Sequence, residues 1–420
     1  MYQKTVLDNG IRVVTESLPY FPAISFGVWW TTGSRYENEQ NNGISHFIEH
    51  MLFKGTEKRT AHDIAREIDA VGGVLNAFTG KEYTCLYARV LRQDLDIALN
   101  VIADMCKHSK FDADDISREK HVIVQEIKMA EDNPEEWIFD LFSADYYKGD
   151  PVGMPVLGVE ESVERLTRQD LVSHFKRYHS PKNMVITAVG RLDHHELVRK
   201  VESLFSGFEN GGESLNTIEE PKSCQGIHVY EKDLEHVYVC LGTDGVSQID
   251  DRRYALYAFN VVIGGSMSSH LFQDIREKRG LVYNIFSYVN CFQDAGSFGI
   301  FTSCSEDSLE EVLGLIKEEA ALLKKNGGIT QEELAFSKEH IKGNFFISLE
   351  GSEARMGRLA KNEIFFNRYE PIRDTLRRID RVQKPEADEM SDLVFGQPES
   401  MSLAVLGPVD RARIETLWKS

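Results

Sequence analysis

NGISHFIEHMLFKGT, residues 42–56, is the stretch of this chain that most constrains its fold. Its apolar residues recur at helical spacing, which predicts a helix that is buried over most of its surface. We expect Asn41 or Asn42 to cap the start of this helix and Lys54-Gly55 to end it. Ionisable residues inside so apolar a helix need a reason to be there, because burying a charge without a partner is costly.

Residues 46–50 of this helix have the order H-x-x-E-H. His46 and His50 are four residues apart, so both imidazoles lie on one helical face and can bind the same ion. Zinc accepts nitrogen ligands in tetrahedral geometry, and Glu49 is placed to take a proton from a water beside it. The order is that of the inverted zinc motif, which indicates a catalytic metal site. The alternative is a pair of core histidines that are satisfied by hydrogen bonds alone.

A catalytic zinc usually has three protein ligands, so a third ligand has to be found. The helix predicted over residues 114–129 carries Glu119 and Glu126, which are seven residues apart and therefore lie on one face. Either glutamate can reach the metal, and the other can accept a hydrogen bond from a ligating histidine. The spacing is equally compatible with two glutamates on a solvated face beside Lys120 and Lys128.

Composition narrows the class of protein. The chain has 420 residues, a length that suggests two domains. Its 67 acidic residues outnumber 48 basic ones, and the net charge of -19 argues against nucleic acid or an anionic membrane as a partner. The six cysteines are scattered without a C-x-x-C pair, which is typical of reduced thiols in a cytoplasmic protein. No apolar run is long enough to span a bilayer.

An internal repeat predicts two similar halves. SPKNMVITAVG at residues 180–190 is echoed by QPESMSLAVLG at residues 397–407, and each follows a predicted helix. We therefore predict two homologous α/β domains, a catalytic one at residues 1–208 and a second one at residues 226–420, joined by a linker over residues 209–225. The motif H-x-x-E-H occurs in the first half, so that half binds the metal.

Turn residues separate short strands from longer helices in both halves. Asp8-Asn9-Gly10 lies between two apolar runs and predicts a hairpin. Asn133-Pro134 is interpreted as the end of the helix that carries the two glutamates. Gly264-Gly265-Ser266 predicts a loop, which is followed by a helix over residues 269–278 and a strand over residues 283–291.

The chain resembles the pitrilysin/insulinase family of zinc peptidases over essentially its whole length, in particular the bacterial relatives of mitochondrial processing peptidase. In that family a glutamate ligand follows the inverted motif seventy-odd residues later. Glu126 lies 76 residues after His50 and matches this ligand, and Glu119 matches an additional active-site glutamate. The resemblance implies one Zn2+ per chain, bound by His46, His50 and Glu126, with Glu49 as the general base.

The resemblance also implies how a peptide substrate is held. Asn76, Ala77 and Phe78 lie in a segment similar to the family's edge strand, with which the substrate pairs through its main chain. Arg276 and Tyr283 match a segment in which an arginine binds the substrate backbone and a tyrosine donates a hydrogen bond to the developing oxyanion.

The fold that the resemblance implies is two homologous α/β domains, each with a mainly antiparallel sheet covered by helices on one face. The implied function is a zinc-dependent endopeptidase or oligopeptidase that hydrolyses peptides or unfolded protein segments within a chamber. Long family members carry four such domains in one chain, so we expect this chain to form a homodimer with active sites shared between subunits.

Two alternatives are weighed against this interpretation. The first is a non-catalytic interaction or scaffold subunit of a processing-peptidase-like complex, which the complete set of metal-site residues disfavours. The second is S-ribosylhomocysteine lyase, which shares H-x-x-E-H but is far shorter and has no duplicated half. Gly264-Gly265 falls where the non-catalytic processing-peptidase subunit has a glycine-rich loop, but this version is short and receives no assigned role.

Overall fold

The structure, a computed structural model, describes residues 1–208, 218–397 and 401–419, and within these ranges it contains eleven strands and fifteen α-helices. The strands are β1 (Tyr2–Val6), β2 (Arg12–Ser17), β3 (Ala23–Trp30), β4 (Val74–Thr79), β5 (Thr84–Leu91), β6 (Met184–Gly190), β7 (Ile227–Glu231), β8 (Val237–Asp244), β9 (Val282–Cys291), β10 (Gly296–Cys304) and β11 (Ser402–Gly407). The helices are α1 (Ile44–Leu52), α2 (Ala61–Asp69), α3 (Leu95–His108), α4 (Ala113–Glu131), α5 (Pro134–Tyr146), α6 (Glu160–Arg165), α7 (Arg168–Tyr178), α8 (His194–Leu204), α9 (Arg253–Ile263), α10 (Leu309–Asn326), α11 (Gln331–Ser348), α12 (Ser352–Phe366), α13 (Ile372–Arg381), α14 (Lys384–Phe395) and α15 (Arg411–Lys419).

The first sheet has six strands in the order β1-β2-β6-β3-β5-β4. The neighbours β2 and β6 are parallel, and the other neighbours are antiparallel. β1 and β2 form the predicted hairpin, in which Val6 lies opposite Arg12 and Gly10 takes a φ of 91° that other residues rarely adopt. β4 lies at the edge of this sheet, so one side of its backbone is available for pairing.

The second sheet repeats this topology with one strand fewer. Its order, β7-β11-β8-β10-β9, matches β2-β6-β3-β5-β4 position by position, and the matching pair β7 and β11 is again parallel. The strands also follow each other in the same order along the chain. The prediction of two homologous domains with mainly antiparallel sheets is therefore confirmed.

The predicted helices on one face of each sheet are present. In the first sheet, Phe26 and Val28 of β3 belong to a buried cluster with side chains from α2, α3 and α8. In the second sheet, Val239 and Leu241 of β8 pack in a cluster with α9, α10 and α14. Alternate residues of these strands point to this face, and the helices on it are those that the family resemblance implies.

One helix also covers the opposite face of each sheet, which the expectation of helices on one face leaves out. α12 places Met356 in a buried cluster with Trp29 of the first sheet. α5 places Ile138 and Phe142 in a cluster with Cys240 of the second sheet. Each of these helices lies in the half of the chain that does not form the sheet it covers.

Each compact unit of the structure therefore contains one segment from the other half of the chain. Unit 1 comprises Met1–Met129, Met154–Ile218 and Ser348–Tyr369, and unit 2 comprises Ala130–Gly153, Glu219–Ile347 and Glu370–Ser420. The predicted division into residues 1–208 and 226–420 is crossed by the segments that carry α5 and α12. Residues 209–217 of the predicted linker lie outside the described residues.

Two expectations from the composition concern the state of the cysteines and the absence of membrane-spanning segments. All six cysteines are free, and Cys85, Cys106, Cys240 and Cys304 are buried. Burial raises the pKa of the Cys106 thiol, which keeps it protonated and unreactive. Among the described helices, none combines the length and the apolar character that a bilayer crossing requires.

Candidate metal centre

Helix α1 carries the H-x-x-E-H motif, and its start differs from the predicted one. The carboxylate of Glu37, rather than the side chain of Asn41 or Asn42, caps the helix. It accepts hydrogen bonds from the backbone N–H groups of Gly43 at 2.7 Å and Ser45 at 2.9 Å. The Asn42 amide donates to the same carboxylate at 3.0 Å and so supports the cap without forming it. A negative charge at this end is favoured by the helix dipole.

His46, His50 and Glu126 form the candidate ligand set. One ligand atom from each lies within 4.8 Å of the others. The Nε2 atoms of His50 and His46 are 3.5 Å and 3.8 Å from Oε2 of Glu126. Two ligand atoms at about 2.0–2.1 Å from a tetrahedral zinc stand about 3.4 Å apart, so these separations suit such an ion. Two imidazoles and one carboxylate are also a donor set of catalytic rather than structural zinc sites.

Burial keeps His46 in the neutral form that binds a metal. Desolvation, with a smaller contribution from the neighbouring His50, lowers the pKa of His46 to about 3. The ring therefore keeps a free lone pair throughout the physiological pH range. Its Nδ1 is buried and has no hydrogen-bond partner among the residues that the structure describes. The described residues therefore do not supply this nitrogen with the hydrogen bond that the alternative of a hydrogen-bonded core histidine requires.

The two glutamates of α4 have different surroundings. Glu119 is 5% exposed, and its Oε2 accepts a hydrogen bond from Nδ1 of His50 at 3.0 Å. Its Oε1 lies 2.6 Å from Nζ of Lys54. Glu126 instead faces the Nε2 atoms of the two histidines. The geometry thus brings Glu126 into the candidate ligand set and Glu119 behind His50, and it excludes the alternative of two glutamates on a solvated face.

Glu49 is tied to the edge strand of the first sheet. Its Oε2 accepts a hydrogen bond from Oγ1 of Thr79 at 2.6 Å, and Thr79 is the last residue of β4. Burial raises the pKa of the Glu49 carboxyl, although the Thr79 hydrogen bond and the charge of His50 oppose the shift. A raised pKa brings a carboxylate closer to the range in which a general base works best. Thr79 was not among the predicted site residues, because a separation of 30 residues from Glu49 in the sequence gives no sign of this hydrogen bond.

β4 contains the three residues predicted to hold substrate. Asn76 and Phe78 are exposed, and Ala77 between them is partly buried, as expected for alternate residues of an edge strand. The Phe78 ring packs edge-on against Trp29 at a centroid distance of 5.6 Å. The strand therefore combines an available backbone edge with a fixed aromatic side chain.

Arg276 and Tyr283 lie together on unit 2. Arg276 belongs to the segment Phe272–Lys278, which is wound as a π-helix within the helix predicted over residues 269–278. Tyr283 is the second residue of β9 and is 82% exposed. The Arg276 guanidinium lies 5.8 Å from the centroid of the Tyr283 ring. Gly280, with a φ of 64°, turns the chain between the two side chains.

The Gly264-Gly265 loop follows α9 and has a packing reason for its composition. A Cβ on Gly264 would lie 2.4 Å from the backbone nitrogen of Ser287 in β9. A Cβ on Gly265 would lie 2.6 Å from the side-chain nitrogen of Asn260. A side chain on Gly264 would therefore meet fixed backbone, whereas one on Gly265 would first meet a side chain, so the requirement for glycine is stronger at Gly264.

Known proteins are similar to this chain over nearly its whole length. The profile described as insulinase (peptidase family M16) matches residues 12–160, and the profile described as peptidase M16 inactive domain matches residues 165–340. The Bacillus subtilis protein named uncharacterized zinc protease YmxG is 37% identical over 408 residues, covering 97% of this chain and 98% of its own. A Mycobacterium leprae protein named uncharacterized zinc protease ML0855 is 38% identical over 409 residues, covering 96% of this chain and 91% of its own.

Solved structures share the fold. A protease from Helicobacter pylori superimposes with a TM-score of 0.87 at 23% identity, covering 97% of this chain and 99% of that chain. A Pseudomonas fluorescens protein described as a peptidase M16 inactive domain superimposes with a TM-score of 0.89 at 20% identity, covering 98% of each chain. At these identities the likeness concerns the arrangement of strands and helices.

Proposed function

This chain belongs to the insulinase family, peptidase family M16, and from that premise we propose that it is a zinc-dependent endopeptidase or oligopeptidase. Its substrates are peptides or unfolded protein segments. The observation that carries the proposal is the convergence of His46, His50 and Glu126, with the partly buried carboxyl of Glu49 on the same helix. Relatives named zinc proteases support the same chemistry.

The proposed metal site holds one zinc ion per chain. His46 and His50 bind it through Nε2, and Glu126 binds it through a carboxylate oxygen. When bound, zinc supplies Lewis acidity, which polarises the scissile carbonyl and lowers the pKa of a water to about 7. The neutral ring of His46 and the hydrogen bond from His50 to Glu119 leave both Nε2 lone pairs available.

Glu49 acts as general base and then as general acid. It accepts a proton from the attacking water and returns this proton to the leaving amine. Burial raises the pKa of the Glu49 carboxyl, which strengthens it as a proton acceptor. The hydrogen bond from Thr79 fixes the carboxylate relative to β4, which is where we place the substrate.

An extended peptide pairs with β4 through its main chain beside Asn76, Ala77 and Phe78. Such pairing gives affinity with little demand on side chains, which suits an enzyme for varied unfolded segments. Arg276 binds the substrate backbone, and the hydroxyl of Tyr283 donates a hydrogen bond to the oxyanion. A donor aimed at the oxyanion is typically worth about 10²–10³ in rate.

We further propose that two chains form a two-fold homodimer in the cytoplasm. The sheets of one chain share one topology, so two chains supply the four domains that long family members carry in one chain. Arg276 and Tyr283 of each subunit then serve the zinc site of the other, and the dimer encloses a chamber that admits peptides and unfolded segments. The free thiols support a reducing compartment.

Product analysis with a mixed peptide library tests the proposed activity. The zinc-loaded wild-type chain should cleave peptides into fragments that mass spectrometry identifies. Glu49→Gln should keep its zinc but lose about 10²–10⁴-fold in rate, because an amide cannot accept the proton. Glu57→Gln, which changes an exposed glutamate just after the motif, is the matched control and should cleave like wild type.

Two results would contradict the proposal at different points. Near-normal turnover by zinc-loaded Glu49→Gln would mean that another group activates the water. A zinc-loaded wild-type chain that leaves every peptide intact would favour the non-catalytic scaffold subunit.

A further inference from the structure

Lys54 begins a series of contacts that ends at the candidate metal centre. Its Nζ lies 2.6 Å from Oε1 of Glu119, and Oε2 of Glu119 accepts a hydrogen bond from Nδ1 of His50 at 3.0 Å. On the other side of the same ring, Nε2 of His50 faces Oε2 of Glu126 at 3.5 Å. Each oxygen of the Glu119 carboxylate therefore has its own partner.

Lys54 supplies the charge that Glu119 needs in its surroundings. The Glu119 side chain is 7% exposed, whereas the Lys54 side chain is 33% exposed and so pairs at the boundary with solvent. Within the described ranges, Lys54 is the one Lys or Arg side chain that forms an ion pair with Glu119. A carboxylate buried to this extent is stable where it is when a cation and a hydrogen-bond donor satisfy it.

The position of Lys54 is fixed by the end of α1. Its backbone N–H donates to the carbonyl of Met51 at 3.1 Å, so the residue continues the last helical turn. Gly55 follows with a φ of 116° and turns the chain away from the helix axis. Lys54 is four residues after His50 and therefore projects from the same side of the helix end, toward Glu119 on α4.

Orientation of the Glu119 carboxylate decides which nitrogen of His50 carries the proton. With Oε1 held by the ammonium group, Oε2 accepts from Nδ1, so the ring carries its proton there and directs the Nε2 lone pair toward the ligand set. Without Lys54 the carboxylate loses the contact that fixes its rotation. The His50 ring then loses its fixed direction as well.

We propose that Lys54 is a positioning residue of the zinc centre, which acts through Glu119 to orient His50. The inference rests on the proposed function in one respect, namely that His50 binds zinc. It adds a third layer to the site: zinc ligands, the carboxylate behind one of them, and the cation that holds this carboxylate.

Zinc affinity, measured without substrate, tests the role of Lys54. The metal-free protein competes with a chromophoric chelator for zinc. Lys54→Met keeps an unbranched side chain of nearly the same length and removes its charge, and it should weaken zinc binding by about 10–100-fold. Lys54→Arg keeps the cation and should recover most of the loss. Lys58→Met changes an exposed lysine just beyond the helix end and should bind zinc like wild type.

A double-mutant cycle separates positioning from a general structural role. Glu119→Gln removes the carboxylate on which Lys54 acts, so adding Lys54→Met to it should cause no further loss of zinc affinity. Losses that multiply in the double variant would overturn the inference, and so would wild-type affinity in Lys54→Met. If Lys54→Met fails to fold by circular dichroism, Lys54→Gln takes its place in the same cycle. A wild-type chain that binds no zinc would instead overturn the proposed function.

Discussion

Two side chains of one type on one helix face have different environments in this protein. The Glu119 side chain is 7% exposed and that of Glu126 is 43% exposed, although they lie seven residues apart on α4. Spacing along a helix fixes the direction of a side chain but not its distance from a second helix. The sequence spacing alone therefore did not decide which glutamate is the third ligand. The way α1 packs against α4 gives Glu119 and Glu126 their different environments.

Glu126→Gln should lose its metal, because an amide oxygen replaces a charged ligand. The purified variant should carry far less than one zinc per chain after dialysis, measured by inductively coupled plasma mass spectrometry. Glu119→Gln keeps His46, His50 and Glu126, so its zinc affinity should fall by about 10–100-fold and its content should exceed that of Glu126→Gln. A fully loaded Glu126→Gln together with a metal-free Glu119→Gln would exchange the two assignments.

Glu37 and Thr79 show where prediction from the sequence ends at this site. The motif itself placed His46, Glu49 and His50, because helical spacing alone brings them together. Glu37 precedes α1 by seven residues, which is outside the spacing of a capping box, and it reaches the helix only because the intervening loop folds back. Thr79 on β4 donates a hydrogen bond to Glu49 on α1, which lies thirty residues earlier in the chain. Contacts of this kind depend on tertiary packing and leave no local pattern.

The two helices that cover the opposite face of each sheet, α5 and α12, were not predicted from the sequence. Pro134 was interpreted as the end of α4, but it is also the first residue of α5, a position at which its fixed φ suits a helix. The segment 269–278 was predicted as a helix without its π-helical winding, since that winding depends on how the backbone is held locally. Periodicity identifies an apolar face but not the surface that it covers.

His270 should stabilise unit 2 in a pH-dependent way, because it joins the start of the Arg276 segment to two helices. Its Nδ1 lies 2.5 Å from Oε1 of Glu319 on α10, and its Nε2 lies 2.6 Å from Oε1 of Glu333 on α11. The hydrogen bond to Glu319, followed by that to Glu333, raises the pKa of His270 to about 9. Its unfolded pKa is about 6.5, so the stabilisation is complete below that pH and is lost as the pH rises through 9.

His270→Gln should therefore lower the thermal midpoint more at pH 6 than at pH 10. The free energy involved is on the order of 1–3 kcal/mol. His62→Gln, at an exposed position on α2, is the control and should leave the midpoint unchanged at both values. Equal destabilisation by His270→Gln at pH 6 and pH 10 would show that packing, rather than the charged pair of hydrogen bonds, accounts for the contribution of His270.

The duplication of the α/β domain was predictable from the sequence, whereas the exchange of α5 and α12 between the two halves of the chain was not. The repeated segments at 180–190 and 397–407 contain β6 and β11, which occupy the same place in the two sheets; residues 398–400 lie outside the described residues. The exchange means that unit 1, with its candidate metal centre, depends on α12 from the second half to cover Trp29. The first half of the chain is therefore not expected to be stable by itself.

The proposed dimer extends this dependence from one chain to two, and complementation tests it. Glu49→Gln and Tyr283→Phe should each be nearly inactive alone, the first through loss of the base and the second through loss of the oxyanion donor. When the two variants exchange subunits, one site of each mixed dimer combines Glu49 from one chain with Tyr283 from the other. The second site carries both lesions. Random exchange should therefore restore activity to about a quarter of wild type, since half of the dimers are mixed and each has one intact site.

The same experiment distinguishes sites completed between subunits from sites completed within one chain. If each chain used its own Tyr283, every site in a mixed dimer would carry one lesion and the mixture would stay inactive. Mixed dimers can be isolated with two different affinity tags, so an inactive result would refer to verified dimers rather than to failed exchange. A doubly mutated chain mixed with wild type provides the converse control. With shared sites, each site of that mixed dimer carries one lesion and it should be nearly inactive, whereas with separate sites the wild-type half should retain its activity.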